Sequence, residues 1–198
     1  MHFGLSYLNL EILPILFSLS DINRLKPNYI FGDFRSIDIL FLKKRQIKSL
    51  IIDLDQTLCI NNAKEIYLPF QEKYYSLRKE FNLCILSNAP RSINELESSQ
   101  RFDYIETKYS VKVIRSKRKK PNKEGFIMAL NYLNTPPNQT AMIGDRLFTD
   151  ILGANQCSII SILVKPISQE NDATKLISII RSLENKIIRH KKWGKNER

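Results

Sequence analysis

Histidine, cysteine and tryptophan are all scarce in this chain of 198 residues, which carries two, three and one of them respectively. His2 and His190 stand near the two termini, so neither a Ser-His-Asp or Cys-His arrangement nor a histidine-rich metal site is readily built in the core. Cys59, Cys84 and Cys157 are widely spaced and form no C-x-x-C pair. They read as reduced structural residues of a reducing compartment, neither a disulfide frame nor a zinc site. Trp193 is the sole tryptophan, and no row of aromatics interleaves with the basic residues as a base-stacking platform would. A long apolar run is also missing. Residues 1–20 are apolar but interrupted by Asn9, Glu11 and Pro14, well short of the roughly 20 residues of a membrane span, and no positive stretch precedes them as in a secretory signal. They are expected to form a peripheral helix that docks on the domain or lies on a membrane surface, with docking favoured. Acidic residues are the minority charge, 20 against 31 basic, for a net +11. That balance points to an anionic partner: a phosphate-bearing substrate, a nucleic acid or acidic lipid headgroups.

What remains for chemistry is carboxylates, lysines and hydroxyls. A hydrophobic content of 43% with 26% charged residues is that of a soluble globular chain, long enough for one domain with its own core and a short flexible tail. The stretch around which the rest is organised is Lys48-Ser49-Leu50-Ile51-Ile52-Asp53-Leu54-Asp55-Gln56-Thr57-Leu58. A β-branched apolar run of strand length ends in two carboxylates, then a hydroxyl, then the turn-forming Asn61 and Asn62. Beyond the carboxyl end of a parallel strand lies the usual ligand crevice of an open α/β sheet. Two carboxylates gathered there repel each other unless a cation joins them, and hard oxygen ligands suit Mg²⁺. A calcium-binding EF-hand loop is excluded, because Leu58 stands where that loop needs glycine.

Along the chain, Ser36 to Leu40 reads as the start of a short helix capped by Ser36 and feeding the first strand. A helix begins near Pro69, and Phe81 to Ser87-Asn88 is a second strand closed by a hydroxyl and an amide. A polar helix follows over 91–100, a third strand over 111–115, and the basic run Lys117 to Lys120 before Pro121. A helix over 123–133 leads to a fourth strand, Thr140 to Gly144, which ends at Asp145; a further helix and a fifth strand, Ser158 to Val164, come next. The last helix, about 172–190, is amphipathic and grows basic toward its end, as the helix dipole favours. Strands alternating with helices predict a parallel sheet. The expected fold is a three-layer α/β sandwich about a five-stranded parallel, Rossmann-like sheet. Residues 1–46 are expected to be a lead-in segment, 47–190 the domain and 191–198 a basic flexible tail.

Four strand ends thus offer Asp53 and Asp55, Ser87 and Asn88, Lys120, and Asp145 with Asp150. Phosphoryl transfer through an aspartyl-phosphate needs such a set: a nucleophilic carboxylate, groups for phosphate oxygens, and further carboxylates for a metal. In their order these motifs resemble the haloacid dehalogenase-like superfamily of phosphatases. Its D-x-D-x-T is present as Asp53-Leu54-Asp55-Gln56-Thr57, its strand-closing hydroxyl as Ser87, its lysine as Lys120 with Lys119 the competing position, and its G-D-x-x-x-x-D as Gly144-Asp145 through Asp150. The resemblance covers about residues 47–165. It implies Asp53 as nucleophile and Asp55 as general acid and base. Mg²⁺ would be held by Asp53, Asp145 and the backbone carbonyl of Asp55, with Asp150 in support; Thr57, Ser87, Asn88 and Lys120 would bind the phosphoryl group.

Only about thirty residues separate Asp55 from Ser87, and Ser87 from Lys120; the sheet's own helices use them up, so no large cap domain is expected and the site is open. Further segments, among them LKPNYIFGDFRSIDILFLKKRQIKSLIIDLDQTL, KKPNKEGF and MIGDRLFTDILGAN, resemble the subfamily III phosphatases that act on phosphatidylglycerophosphate, although Gln56 stands where those relatives usually carry Asn or Glu. The resemblance implies a phospholipid phosphate as substrate. It suits a protein in the cytoplasm or an organelle interior, plastid or mitochondrial, that visits an anionic membrane through Lys43-Lys44-Arg45, Lys117 to Lys120 and Arg189 to Lys192. A nucleic-acid end, a phosphoprotein or a soluble phosphomonoester is the second reading of the substrate, and a non-catalytic binding module the third.

Overall fold

A computed structural model of the chain describes residues 22–88, 95–168, 175–191 and 193. The helix expected over residues 1–20, the first residues of the one expected over 91–100, the start of the one expected from 172, and most of the tail lie outside the described residues. The elements are β1 (Tyr29–Ile30), α1 (Ile39–Lys44), β2 (Ser49–Ile52), α2 (Gln71–Glu80), β3 (Asn82–Leu86), α3 (Glu95–Tyr109), β4 (Lys112–Ile114), α4 (Lys123–Leu133), β5 (Thr140–Gly144), α5 (Leu152–Gln156), β6 (Ile160–Leu163) and α6 (Lys175–Lys191).

All strand pairs are parallel, in the order β1-β6-β5-β2-β3-β4. The sheet therefore has six strands where five were expected. The sixth, β1, comes from the lead-in segment: Tyr29 and Ile30 pair with Ile162 and Leu163, and Asn28 Oδ1 accepts from the Ser161 amide at 2.8 Å. A two-residue strand at an edge carries no periodic signal, so its sequence reads as loop. Ser36 is likewise not the helix cap expected. Asp38 accepts the Leu40 and Phe41 amides at the start of α1, while Ser36 closes a capping box with Asp33.

The sheet is buried on both faces, which is why its strands read as unbroken apolar runs rather than alternations. Within β2, Leu50 and Ile52 point to the side where α1, α2 and α3 bring Leu42, Tyr74, Leu77, Phe102 and Ile105. Ile51 points to the other side, against Phe126, Ala129 and Leu133 of α4 and Ala154 of α5. Period-2 side chains between helices on both faces make the three layers. No inserted cap is present among the described residues: α2 with the short 3₁₀ turn Leu68–Phe70 stands between β2 and β3, and α3 between β3 and β4.

The topology sets the site. From β2 the chain goes to β3 on one side and later returns to β5 on the other, so β2 is the switch point where a crevice opens beyond the carboxyl ends. Ile52 is level with Ile85 of β3 and Ile143 of β5. The residues that follow on each strand therefore converge.

Candidate active site

Asp53 follows the last residue of β2, its amide donating to the Ile143 carbonyl at 2.9 Å. The carboxylate is buried. Lys120 reaches it from the loop before α4: its Nζ donates to Asp53 Oδ1, to Asp150 Oδ1 at 2.7 Å and to the Leu86 carbonyl at 2.9 Å. The lysine is itself buried whereas its neighbour Lys119 is exposed. Burial works against the ammonium, but Asp150 and Asp53 outweigh it and raise its pKa.

Asp145 follows β5. Its Oδ2 accepts from Arg181 at 2.7 Å and its Oδ1 from Thr57 Oγ1 at 3.3 Å. Asp150 sits on a wide helical turn, Leu147–Ile151, and both of its oxygens are engaged, Oδ1 by Lys120 and Oδ2 by the Arg146 amide at 3.2 Å. That carboxylate can tuck under β5 because residue 144 is glycine: a Cβ there would stand 2.4 Å from Asp150 Cγ. The glycine is thus required by a close approach.

Ligand oxygens of Asp53, Asp145 and Asp150 lie within 4.8 Å of one another, all buried. Burial pushes the Asp53 carboxyl up, to about 8, and Asp150 and Asp145 add to the rise while Lys120 opposes it. Burial also raises Asp145, against the pull of Arg181. Three acids so placed, Asp53 and Asp145 among them disfavoured as anions by burial, form a hard-oxygen donor set that fits a small divalent cation.

Asp55 is treated differently. Its carboxylate is partly exposed and turned to Arg101 of α3, with Arg101 Nη2 donating to Oδ1 at 2.7 Å and Nη1 to Oδ2 at 3.2 Å. The Asn62 amide adds a bond to Oδ1 at 3.0 Å, and Arg101 Nε donates to the Ala63 carbonyl at 2.9 Å. One guanidinium thus ties the acid to the loop that follows it. Between the two acids and Thr57, Gln56 has a left-handed backbone, φ 67°. It anchors the loop by its side-chain oxygen, which accepts the Ser168 amide at 2.9 Å, and by its carbonyl, which accepts the Ile167 amide at 2.9 Å.

Ser87 is buried at the end of β3, beside the Leu86 carbonyl that Lys120 contacts. Asn88 clasps the backbone of residue 120, its Oδ1 accepting the Lys120 amide at 2.6 Å and its Nδ2 donating to the Lys120 carbonyl at 3.1 Å. Its amide group is thereby engaged in positioning the lysine.

Sequence reading missed three contributors. Arg101 and Arg181 reach Asp55 and Asp145 from helices 46 and 36 residues distant in sequence. Glu184, almost wholly buried in α6, receives Arg146 Nε and the Phe148 amide, both at 2.9 Å. Each is a charged residue in an amphipathic helix, and only knowledge of what those helices pack against separates it from a solvent-facing charge. Burial pushes the Cys59 and Cys84 thiols up to about 12, which fits the inert role expected of them.

Comparison with known proteins follows the same strands. Residues 11–168 match the family described as Mitochondrial PGP phosphatase. The chain is 31% identical over 136 residues to the mitochondrial phosphatidylglycerophosphatase of Saccharomyces cerevisiae, covering 66% of this chain and 72% of that one. To the chloroplastic/mitochondrial phosphatidylglycerophosphate phosphatase 1 of Arabidopsis thaliana it is 24% identical over 169 residues, 84% of this chain but 47% of that protein. It therefore spans about half the length of the Arabidopsis relative. Among solved structures, a HAD-superfamily hydrolase of Geobacter sulfurreducens is similar at a TM-score of 0.44 and 15% identity, over 60% of this chain and 87% of that one.

Proposed function

We propose that this chain, which belongs to the mitochondrial PGP phosphatase family, hydrolyses the phosphomonoester of phosphatidylglycerophosphate to phosphatidylglycerol by way of an aspartyl-phosphate, with Mg²⁺ as cofactor. The observation that carries the reading is the buried constellation at the carboxyl ends of β2, β3 and β5, in which Lys120 Nζ bridges Asp53 and Asp150 and Asp145 completes an acidic triad. The substrate is taken from the names of the relatives, which are phosphatidylglycerophosphate phosphatases of mitochondria and chloroplasts.

In this mechanism an Asp53 oxygen forms a bond to phosphorus as the bond from phosphorus to the glycerol oxygen breaks. Asp55 gives the departing oxygen its proton, then takes one from the water that attacks the aspartyl-phosphate and frees inorganic phosphate. Lys120, Thr57 and Ser87 offset the charge of the phosphoryl oxygens, and Asn88 holds Lys120 in place through its backbone. Asp53, Asp145 and the Asp55 carbonyl would hold Mg²⁺, with Asp150 anchoring Lys120. When bound there the ion supplies positive charge opposite the phosphoryl group.

No helix among the described residues is long and apolar enough to cross a membrane. A lipid phosphate would be met at a membrane surface, and an organelle interior is the setting in keeping with the relatives' names. The test is phosphate release by the purified protein with and without Mg²⁺. Phosphatidylglycerophosphate in mixed micelles runs beside an aryl phosphate, a 5′-phosphorylated oligonucleotide and the Asp53→Asn variant. Preferential release from the lipid, abolished in the variant, is expected. Release from the aryl phosphate alone would discard the lipid, and release undiminished in Asp53→Asn would discard the nucleophile.

A further inference from the structure

Helix α4 differs in pattern from α2, on the other face of the sheet. Its inward residues Phe126, Ala129 and Leu133 fill the core, but its outward residues Ile127, Met128 and Tyr132 are also large and apolar, and they are 50%, 40% and 55% exposed. By contrast the outward face of α2 carries Glu72, Arg78, Lys79 and Glu80, with Tyr75 the one large apolar group. Asn131 also lies exposed on this face, but three large apolar side chains together in water, rimmed by charge, mark a contact surface.

The rim here is cationic. Arg115, Lys117, Arg118 and Lys119 are exposed in the segment leading into α4, and Lys123 is exposed on its first turn. The acid among them, Glu124, is engaged in accepting the Arg118 amide at 3.1 Å. Lys120, which lies between Lys119 and the start of the helix, turns inward instead, to Asp53 and Asp150. One short segment therefore joins the basic rim, the apolar face and the floor of the site.

We propose that the outward face of α4, with Lys117, Arg118, Lys119 and Lys123, is the surface by which this protein docks on an anionic lipid bilayer. Ile127, Met128 and Tyr132 enter the boundary between headgroups and acyl chains, as the apolar face of an interfacial helix does, and the basic residues stand over lipid phosphates. Docking by this segment brings the crevice close to the bilayer, so that a headgroup phosphate reaches Asp53 without the lipid leaving the membrane. This deepens the phosphatidylglycerophosphate reading and rests on it. It also revises the sequence expectation for the basic run, because Lys120 belongs to the site and not to the lipid surface.

The experiment is co-sedimentation of the full-length protein with phosphatidylcholine vesicles and with vesicles that also contain phosphatidylglycerol. Turnover of an aryl phosphate runs alongside as a measure of the intact site, and light scattering measures the oligomeric state. The wild type is expected on the anionic vesicles only. Ile127→Glu/Met128→Glu should weaken that binding by about tenfold or more, and Tyr132→Lys should weaken it by less, both with aryl phosphate turnover unchanged. Lys117→Gln/Arg118→Gln should weaken binding severalfold and flatten its decline with salt. Anionic-vesicle binding unchanged in the apolar variants overturns the proposal, and so does loss of a dimer in them with vesicle binding intact, which would identify a second copy as the occupant. A wild type that binds the vesicles through this face yet turns over no phosphate ester would refute the phosphatase reading and leave the docking surface standing.

Discussion

Asp53 and Asp55 belong to one motif and stand two residues apart, yet the fold gives them opposite surroundings. Asp53 is buried at the end of the central strand, with Asp145, Asp150 and Lys120 around it. Asp55 is partly exposed on the loop, with a guanidinium across both of its oxygens. The first has the fixed position and surrounding charges that the proposed attack on phosphorus calls for. The second is within reach of solvent, which suits the proton exchange proposed for it. Nearby acids are thereby given separate surroundings by burial and partners rather than by residue type, which supports the separate tasks proposed for them.

The comparison should break most severely at Asp53, the proposed nucleophile. Asp53→Asn should lower phosphate release by a factor on the order of 10⁴ or more with the thermal midpoint of the metal-free protein little changed at neutral pH, because a carboxyl raised to about 8 is already uncharged there; residual activity near that of the wild type would contradict the assignment. Asp55→Asn should cost on the order of 10² to 10⁴. That loss should be smaller for an aryl phosphate, whose leaving oxygen needs little protonation, than for an alkyl one; equal losses on the two would remove Asp55 from the acid role.

Smaller effects are expected from the arginines that hold each acid. Arg181→Gln should weaken Mg²⁺ binding by about 10-fold, since groups that orient a metal-ligating carboxylate carry effects of that size; calorimetric titration without substrate reads this apart from turnover. The Asp53 side should also respond to pH. Its carboxyl is raised to about 8 by burial and the neighbouring acids, so at neutral pH the metal-free site holds a proton that Mg²⁺ must displace. Apparent affinity should therefore climb by up to about tenfold per pH unit between 6 and 8 and level off above. Titration in buffers of different ionisation enthalpy should detect the released proton, and an affinity flat over that range would refute the sign. Arg101→Gln, on the Asp55 side, is expected to lower kcat severalfold and leave Mg²⁺ binding unchanged, a contrast with Arg181→Gln that a general loosening of the fold would not produce.

What could be read in advance follows the range of the physics involved. The ends of β2, β3 and β5 were legible as Asp53, Ser87 and Asp145, because an apolar run punctuated by polar groups is a local pattern. Helix α4 runs over 123–133 as expected, and the structure shows what bounds it: Asn122 caps its start and Asn134 takes the left-handed conformation that stops it. Asn88 was expected at the phosphate, but in the structure its amide group is engaged by the backbone of Lys120, a contact 32 residues away in sequence. The exposed apolar face of α4 was also invisible, because the sequence does not say which of a helix's apolar residues the core takes up.

By itself, then, the sequence determined that parallel strands deliver acids to one edge and that Lys120 stands among the candidates to meet them. Only the tertiary structure decided that β1 joins β6, that Lys120 rather than Lys119 is the buried lysine, and that Arg101 and Arg181 leave their helices to hold Asp55 and Asp145. The physical reason is that strand and helix patterns are written by neighbours a few residues apart. The partner of a buried charge is chosen by which surfaces the folded chain presses together.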